Sequence, residues 1–314
     1  MKTIGVLFLF LSSPSWAQTF VGTFVAVKGD VKILRSPAGN KDAGPFALYE
    51  GIKYTYEKAK IGNKIKPSEV VQSGADGKAK IAYPNGDHFI IGYGTTLILP
   101  AVSDRGGDDK KGSSMELIYG RVRSLISKGG PRNNMKVKTP SAVAGVRGTD
   151  FFARSNPAVG TQITVLRGEV AMQSATKPEE TVSVKTGYTA EAAPKAEAPP
   201  KVEEATKEDL MTLQGESAVK VAKEDIAKLP PEIKGEVTAL AEKTKEAVLD
   251  DIKTTDAQLY KNLAANGKLD AEDINTAVVA DLYKAAPSDK KRKPTKEEID
   301  SIGKDVYDKY FKNK

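Results

Sequence analysis

Val70-Val71-Gln72-Ser73-Gly74-Ala75-Asp76-Gly77-Lys78-Ala79-Lys80-Ile81-Ala82-Tyr83-Pro84-Asn85-Gly86-Asp87-His88-Phe89-Ile90-Ile91-Gly92 is the stretch that decides the fold class. Asp-Gly and Asn-Gly readily take the positive φ of tight hairpin turns. Asp76-Gly77 and Asn85-Gly86 are each flanked by alternating apolar residues, so the stretch predicts two successive hairpins. Outward from it, the segment from Phe20 to about Tyr188 is rich in Val, Ile, Thr and Gly, alternates with period two, and carries turn residues every eight to twelve positions. That pattern predicts an all-β region.

One pattern recurs three times: Val25-Ala26-Val27-Lys28-Gly29-Asp30-Val31, Leu117-Ile118-Tyr119-Gly120-Arg121-Val122, and Ile163-Thr164-Val165-Leu166-Arg167-Gly168-Glu169-Val170. Each is a short strand, a glycine, a charged residue and a further valine. A central glycine permits a kink or bulge, so a strand can turn a corner with its apolar face still inward. The repeat therefore predicts a curled, solenoid-like sheet. Asp104 to Ser114 and Lys128 to Asn134 read as surface loops.

The composition changes after Ala190. Residues 191–205 are dominated by Ala, Pro, Glu and Lys, including Pro194, Pro199 and Pro200, and read as an extended linker. Residues 206–314 then form a charged α-helical region. Apolar residues recur there at three- and four-residue spacing over Asp209–Lys228, Glu232–Ala265, Ala271–Ala285 and Lys296–Phe311. Thr295-Lys296-Glu297-Glu298 has the form of a capping box. Short apolar stripes and few aromatics predict a thin bundle, or helices that pack on a partner.

The first seventeen residues read as a signal peptide. Lys2 precedes an apolar run from Ile4 to Leu11, and Ser15-Trp16-Ala17 supplies small residues for cleavage before Gln18. An eight-residue run is too short to cross a bilayer, which takes roughly twenty residues. The expectation is an exported, periplasmic chain without a transmembrane span. The absence of cysteine rules out a disulfide framework and a lipid-anchored cysteine.

Charge divides the chain in two. Residues 18–190 carry 25 Lys and Arg against 15 Asp and Glu, whereas residues 191–314 carry 22 against 26. The basic half suits an anionic partner, such as a cell-wall or lipid component or an acidic protein face of the envelope. No basic stripe with interleaved aromatics is visible, so nucleic acid is set aside.

Residues that carry chemistry are sparse. With no cysteine and one histidine, thiol catalysis and Cys/His zinc sites are excluded. His88 sits on a hairpin strand between Asp87 and Phe89 and reads as an exposed strand residue rather than a base. No nucleophile elbow, phosphate loop or dinucleotide fingerprint occurs. The acid pairs Asp108-Asp109 and Glu179-Glu180 lie in polar segments. Asp250-Asp251 and the run Asn266 to Asp273 lack the spacing of a calcium loop. No catalytic, cofactor-binding or metal-binding set is expected, and the chain is not expected to be an enzyme.

The most distinctive string is Lys136-Val137-Lys138-Thr139-Pro140-Ser141-Ala142-Val143-Ala144-Gly145-Val146-Arg147-Gly148-Thr149-Asp150-Phe151, followed by the strand that carries Gly168. It resembles the signature of the FecR domain, found in periplasmic regulators of bacterial iron-transport signalling. The matching positions are Thr139, Pro140, Val146, Arg147, Gly148, Thr149, Asp150, Phe151 and Gly168, and the resemblance spans about Phe24 to Met172. It implies an all-β domain acting through protein contact and signal relay. Read physically, Thr139-Pro140 starts a strand, and Arg147 is expected as a structural clamp on Asp150. Regulators of this family place a sigma-factor-binding segment and a membrane helix before the domain. Here a signal peptide stands in that place, so the expectation is a free-standing exported binding or scaffold module. The alternative is a soluble component of a cell-surface signalling relay that touches a receptor or membrane regulator.

Overall fold

The computed structural model describes residues 19–20, 22–39, 43–66, 69–99, 102–103, 114–127, 135–219, 223–265 and 271–288. The signal peptide, the loops at 104–113 and 128–134, and the expected helix at 296–311 with its capping box lie outside the described residues.

The β region is two layers with one shared strand, antiparallel in every pairing but one. The first sheet runs in the spatial order β6 (Lys64–Ile65), β2 (Gly22–Lys28), β8 (Lys78–Ala82), β9 (His88–Ile91), β12 (Ser114–Leu125), β15 (Asp150–Asn156), β16 (Gly160–Arg167), β19 (Tyr188–Ala192) and β20 (Lys201–Glu204). The second runs β4 (Phe46–Tyr49), β5 (Ile52–Lys58), β3 (Val31–Pro37), β7 (Val70–Ser73), β10 (Thr96–Ile98), β12, β13 (Met135–Lys138), β14 (Ala142–Val146), β17 (Glu169–Ser174) and β18 (Thr181–Lys185). The β12–β13 pairing is parallel. A separate pair joins β1 (Thr19–Phe20) to β11 (Val102–Ser103). Neither sheet closes on itself.

The repeated glycine pattern marks where the chain changes layer. Gly29 separates β2 from β3, Gly168 separates β16 from β17, and Gly120 lies within β12, whose first half pairs in the second sheet and whose second half pairs in the first. Gly120 has φ +99, and a Cβ there would lie 2.5 Å from the Thr95 Cα. Only glycine fits such a corner. Neighbouring corners stack through backbone bonds: the Gly74 amide donates to the Asp30 carbonyl at 2.8 Å, and the Gly94 amide to the Gly74 carbonyl at 2.9 Å. The expected curl is thus a chain that shuttles between layers, with its turns stacked in register.

Asn85-Gly86 closes the β8–β9 hairpin as expected, with Ala82 opposite His88. Asp76-Gly77 does not close a hairpin. β7 pairs with β3 and β10 in one layer, while β8 pairs with β2 and β9 in the other. The Asp76 side chain accepts from the Asp30 amide at 3.2 Å, and a Cβ on Gly77 would lie 2.1 Å from the Asp30 carbonyl oxygen. Packing against the neighbouring corner overrides the turn that the dipeptide favours locally. Thr139-Pro140 is corrected too: it ends β13, and Thr139 with Ala142 closes the turn into β14, the Thr139 amide donating to the Ala142 carbonyl at 2.9 Å.

Between the layers lies the main apolar core, with Phe24, Ile81, Phe89, Leu117, Phe151 and Val165 all buried. The helices α1 (Lys207–Ser217), α2 (Lys223–Ala227), α3 (Pro231–Thr255), α4 (Ala257–Ala265) and α5 (Ala271–Ala285) follow the strands. Of these, α1, α3, α4 and α5 add a third layer on the outer face of the first sheet. Ile90, Leu125, Phe152 and Leu166 on that face join Leu210, Leu213, Val248, Ile252, Ile274 and Val278 of the helices in a second core. The first sheet is therefore covered on both faces, which is why β8 and β9 are buried at every residue. α3 rests on the Asn85-Gly86 turn, where a Cβ on Gly86 would meet the Ala247 Cβ at 2.5 Å. Of the Ala/Pro-rich segment, Glu191 and Ala192 complete β19, and Lys201–Glu204 returns as β20 to pair with it.

Candidate functional site

Period two places alternate residues of each strand on the outer face of the first sheet, and this face is rich in cations. In one register row Ala82, His88, Leu125, Asp150 and Arg167 lie side by side; in the next, Lys80, Ile90, Arg123 and Phe152; in a third, Arg121 and Arg154. Lys78 stands on β8 two residues before Lys80. Solvated cations would be ordinary on such a face, but here the helices cover them, so each needs a partner.

Arg123, 1% exposed, forks onto Asp150, which is 0% exposed. Its Nε donates to Oδ1 at 2.9 Å and its Nη2 to Oδ2 at 2.7 Å. Its Nη1 also reaches the Asn275 carbonyl of α5 at 3.3 Å, tying sheet to helix. Arg167 pairs through Nε with Asp251 of α3 at 2.8 Å. Asp251 belongs to the acid pair Asp250-Asp251, whose spacing does not suit a calcium loop and which here serves an ion pair.

Glu216, in the last turn of α1, sits at the centre of the densest group. It is 1% exposed. Arg121 Nη1 contacts one carboxylate oxygen and Arg154 Nη2 the other, at 3.1 Å for Arg154. Lys78 Nζ donates to the Gly215 carbonyl at 2.8 Å, at the end of the same helix. Lys78 Nζ lies 4.4 Å from the Tyr93 ring centroid and the Arg121 guanidinium carbon 5.5 Å from it, giving the cations an aromatic floor. Gly92 makes room for this, since a Cβ there would lie 2.4 Å from the Arg121 Cγ. Burial by itself raises the Glu216 pKa, but Arg121, Arg154 and Lys78 oppose it and hold the carboxyl below its ordinary value.

His88 is fully buried, not exposed as its strand position suggested, because its face of β9 lies under the helices. Its Nδ1 donates to the Gly86 carbonyl at 3.3 Å. Burial, then the positive Lys80, Arg123 and Arg167, hold its imidazole well below the ordinary histidine range. It is a neutral residue among the cations of this face.

The signature residues from Val146 to Phe151, with Gly168, come together as one stacked corner, and Thr139 and Pro140 lie apart from it. Val146 ends β14, Gly148 and Thr149 turn the chain, and Asp150 and Phe151 open β15. A Cβ on Gly168 of the adjacent corner would lie 2.8 Å from Thr149 Cγ2. Phe151 enters the inner core and Asp150 the outer face. Thr139 and Thr161 share a hydroxyl bond at 2.7 Å at the opposite end of the layer. The expected clamp is corrected: Arg147 is exposed, and Arg123 grips Asp150 instead. Val146 before it is buried in the inner core, and Arg147 stands exposed at the start of the turn.

The fold is thus a two-layer coil of strands that wears its own helices over a charged face. Residues 69–171 match the family model of the FecR protein, about a third of the chain. Lys78, Arg121, Arg123, Asp150, Arg154 and Arg167 all fall within the matched residues, whereas Glu216 and Asp251 fall outside them. Two crystal structures of a candidate anti-sigma factor from Parabacteroides distasonis ATCC 8503 are similar, at 17% and 16% identity with a TM-score of 0.37 each. The similarity covers 46% of this chain and 64% and 65% of those chains. No curated protein matches the sequence.

Proposed function

We propose that this chain is a non-enzymatic, exported FecR-domain protein that acts by protein contact, as a soluble component of a cell-surface signalling relay touching a receptor or membrane regulator. The observation that carries this reading is the FecR domain itself, joined to a sheet face built around ion pairs with separately encoded helices. Residues of that kind hold and release polypeptide; they do not resemble an acid, base or nucleophile set. Export rests on the N-terminal seventeen residues.

A second reading, a periplasmic binding or scaffold module for an envelope or cell-wall component, draws on the exposed Lys136, Lys138, Arg147 and Lys185 at the second sheet and the signature corner. Proximity labelling in cells, with the label at the C-terminus of the full chain, separates the two. The relay reading expects enrichment of an outer-membrane receptor or inner-membrane regulator. Cell-wall enzymes or lipid-associated proteins alone would favour the scaffold, and cytoplasmic proteins alone would refute both. N-terminal sequencing of the mature protein is expected to begin at Gln18.

A further inference from the structure

The helix α1 is a weak helix on a strong seat. Gly215 in its interior costs about 1 kcal/mol relative to alanine, with open space around it where a side chain would go. Glu216 stands in the last turn, where the helix dipole disfavours a carboxylate, and no basic residue of the helix offsets it. The offsetting charge comes wholly from the sheet, as Arg121, Arg154 and Lys78. The apolar anchors are equally few: Leu210 and Leu213 are its buried hydrophobic residues, while Met211 is half exposed. The contact reduces to a short code, Leu210-x-x-Leu213-x-x-Glu216, presented on one helical face. The cations that read this code belong to the FecR domain, and the code itself lies outside it.

We infer that the nest of Lys78, Arg121, Arg154 and Tyr93 is a docking site for an acidic helix of a partner protein bearing the Leu-x-x-Leu-x-x-Glu pattern, and that α1 is its intramolecular occupant. The partner's helix end supplies a carboxylate to the two arginines and its terminal carbonyls to Lys78, as α1 does now. A better helix, without a glycine before its glutamate, displaces α1 by competition on the same seat. This deepens the protein-contact reading by naming the chemistry of the contact. It can fail while that reading stands, because the labelling experiment identifies partners at any surface.

The test uses the full chain and a fluorescent peptide of its own residues 206–219 with Gly215 replaced by alanine, read by fluorescence anisotropy. Binding to a Glu216→Ala chain is expected to be at least tenfold tighter than to the wild-type chain, whose seat is filled. A peptide that also carries Glu216→Gln should lose most of that binding, as should adding Arg121→Ala to the Glu216→Ala chain. If Glu216→Ala gives no cooperative melt, Glu216→Gln, which keeps the side-chain volume, takes its place. Equal binding to filled and emptied seats, or binding indifferent to the peptide's carboxylate, would overturn the assignment. Conversion of the emptied chain into a stable dimer by light scattering would give the seat to a second copy and overturn it as well.

Discussion

Replacing Arg123 by alanine separates the clamp that the structure contains from the one that the sequence suggests. Arg123 is 1% exposed and binds Asp150 through two hydrogen bonds of 2.9 and 2.7 Å. Truncating it leaves the buried Asp150 carboxylate without its fork, and breaking a buried pair from one side costs about 3–5 kcal/mol. The lost link to the Asn275 carbonyl adds to this by loosening α5. For a chain of this size each kcal/mol moves the midpoint by roughly 2–4 °C, so Arg123→Ala is expected to melt about 6–20 °C below the wild type. Arg147→Ala, at an exposed position, is expected to stay within about 0.5 kcal/mol. Circular dichroism melts and urea titrations of the two variants decide it. Removing both partners, as Arg123→Met with Asp150→Leu, should recover much of the loss, since an apolar pair leaves no charge stranded. A melt of Arg123→Ala within 2 °C of wild type, or an equal loss from Arg147→Ala, would refute the reasoning.

Gly120→Ala should cost more than about 2 kcal/mol in urea unfolding, because the added Cβ would lie 2.5 Å from the Thr95 backbone at φ +99. Stability should fall on acidification: a neutral buried His88 against an unfolded imidazole that takes a proton near pH 6.5 gives full stability above that pH. Below it the loss approaches about 1.4 kcal/mol per pH unit. The depressed Glu216 adds a further loss once pH falls through the carboxylate range, and His88→Leu should flatten the upper part of the curve, read by chemical denaturation at several pH values. A chain ending at Glu204 should bind ANS strongly, because Ile90, Leu125, Phe152 and Leu166 lose their helical cover. A truncated chain that stays monomeric and dye-free would contradict the third layer.

Much of the β region is legible in the sequence because its signals are local. Alternation marks strands, Asn85-Gly86 marks a hairpin, and the three glycine repeats mark corners whatever lies around them. The fate of Asp76-Gly77 is not legible, since a dipeptide that favours a hairpin also suits a corner, and only the Asp30 backbone packed against it decides. The candidate site is harder still. Arg121, Arg123 and Arg167 alternate with apolar residues as solvated strand residues do, and their partners lie 95, 27 and 84 positions away in the chain. The opposite charge of the two halves is the one trace of the docking visible beforehand, and it points as well to an outside partner as to the inside one. His88 misleads for the same reason: burial on that face comes from helices encoded more than a hundred residues later.

The strand β12 belongs to both sheets. Its twelve residues make four ladders, with β10 and β13 before Gly120 and with β9 and β15 after it. In an ordinary sandwich the layers are held by their apolar filling alone and can slide or gape under load. Here a continuous covalent strand crosses from one to the other, so a pull on either sheet travels along backbone and is resisted by four sets of hydrogen bonds in shear. The domain is laced rather than glued.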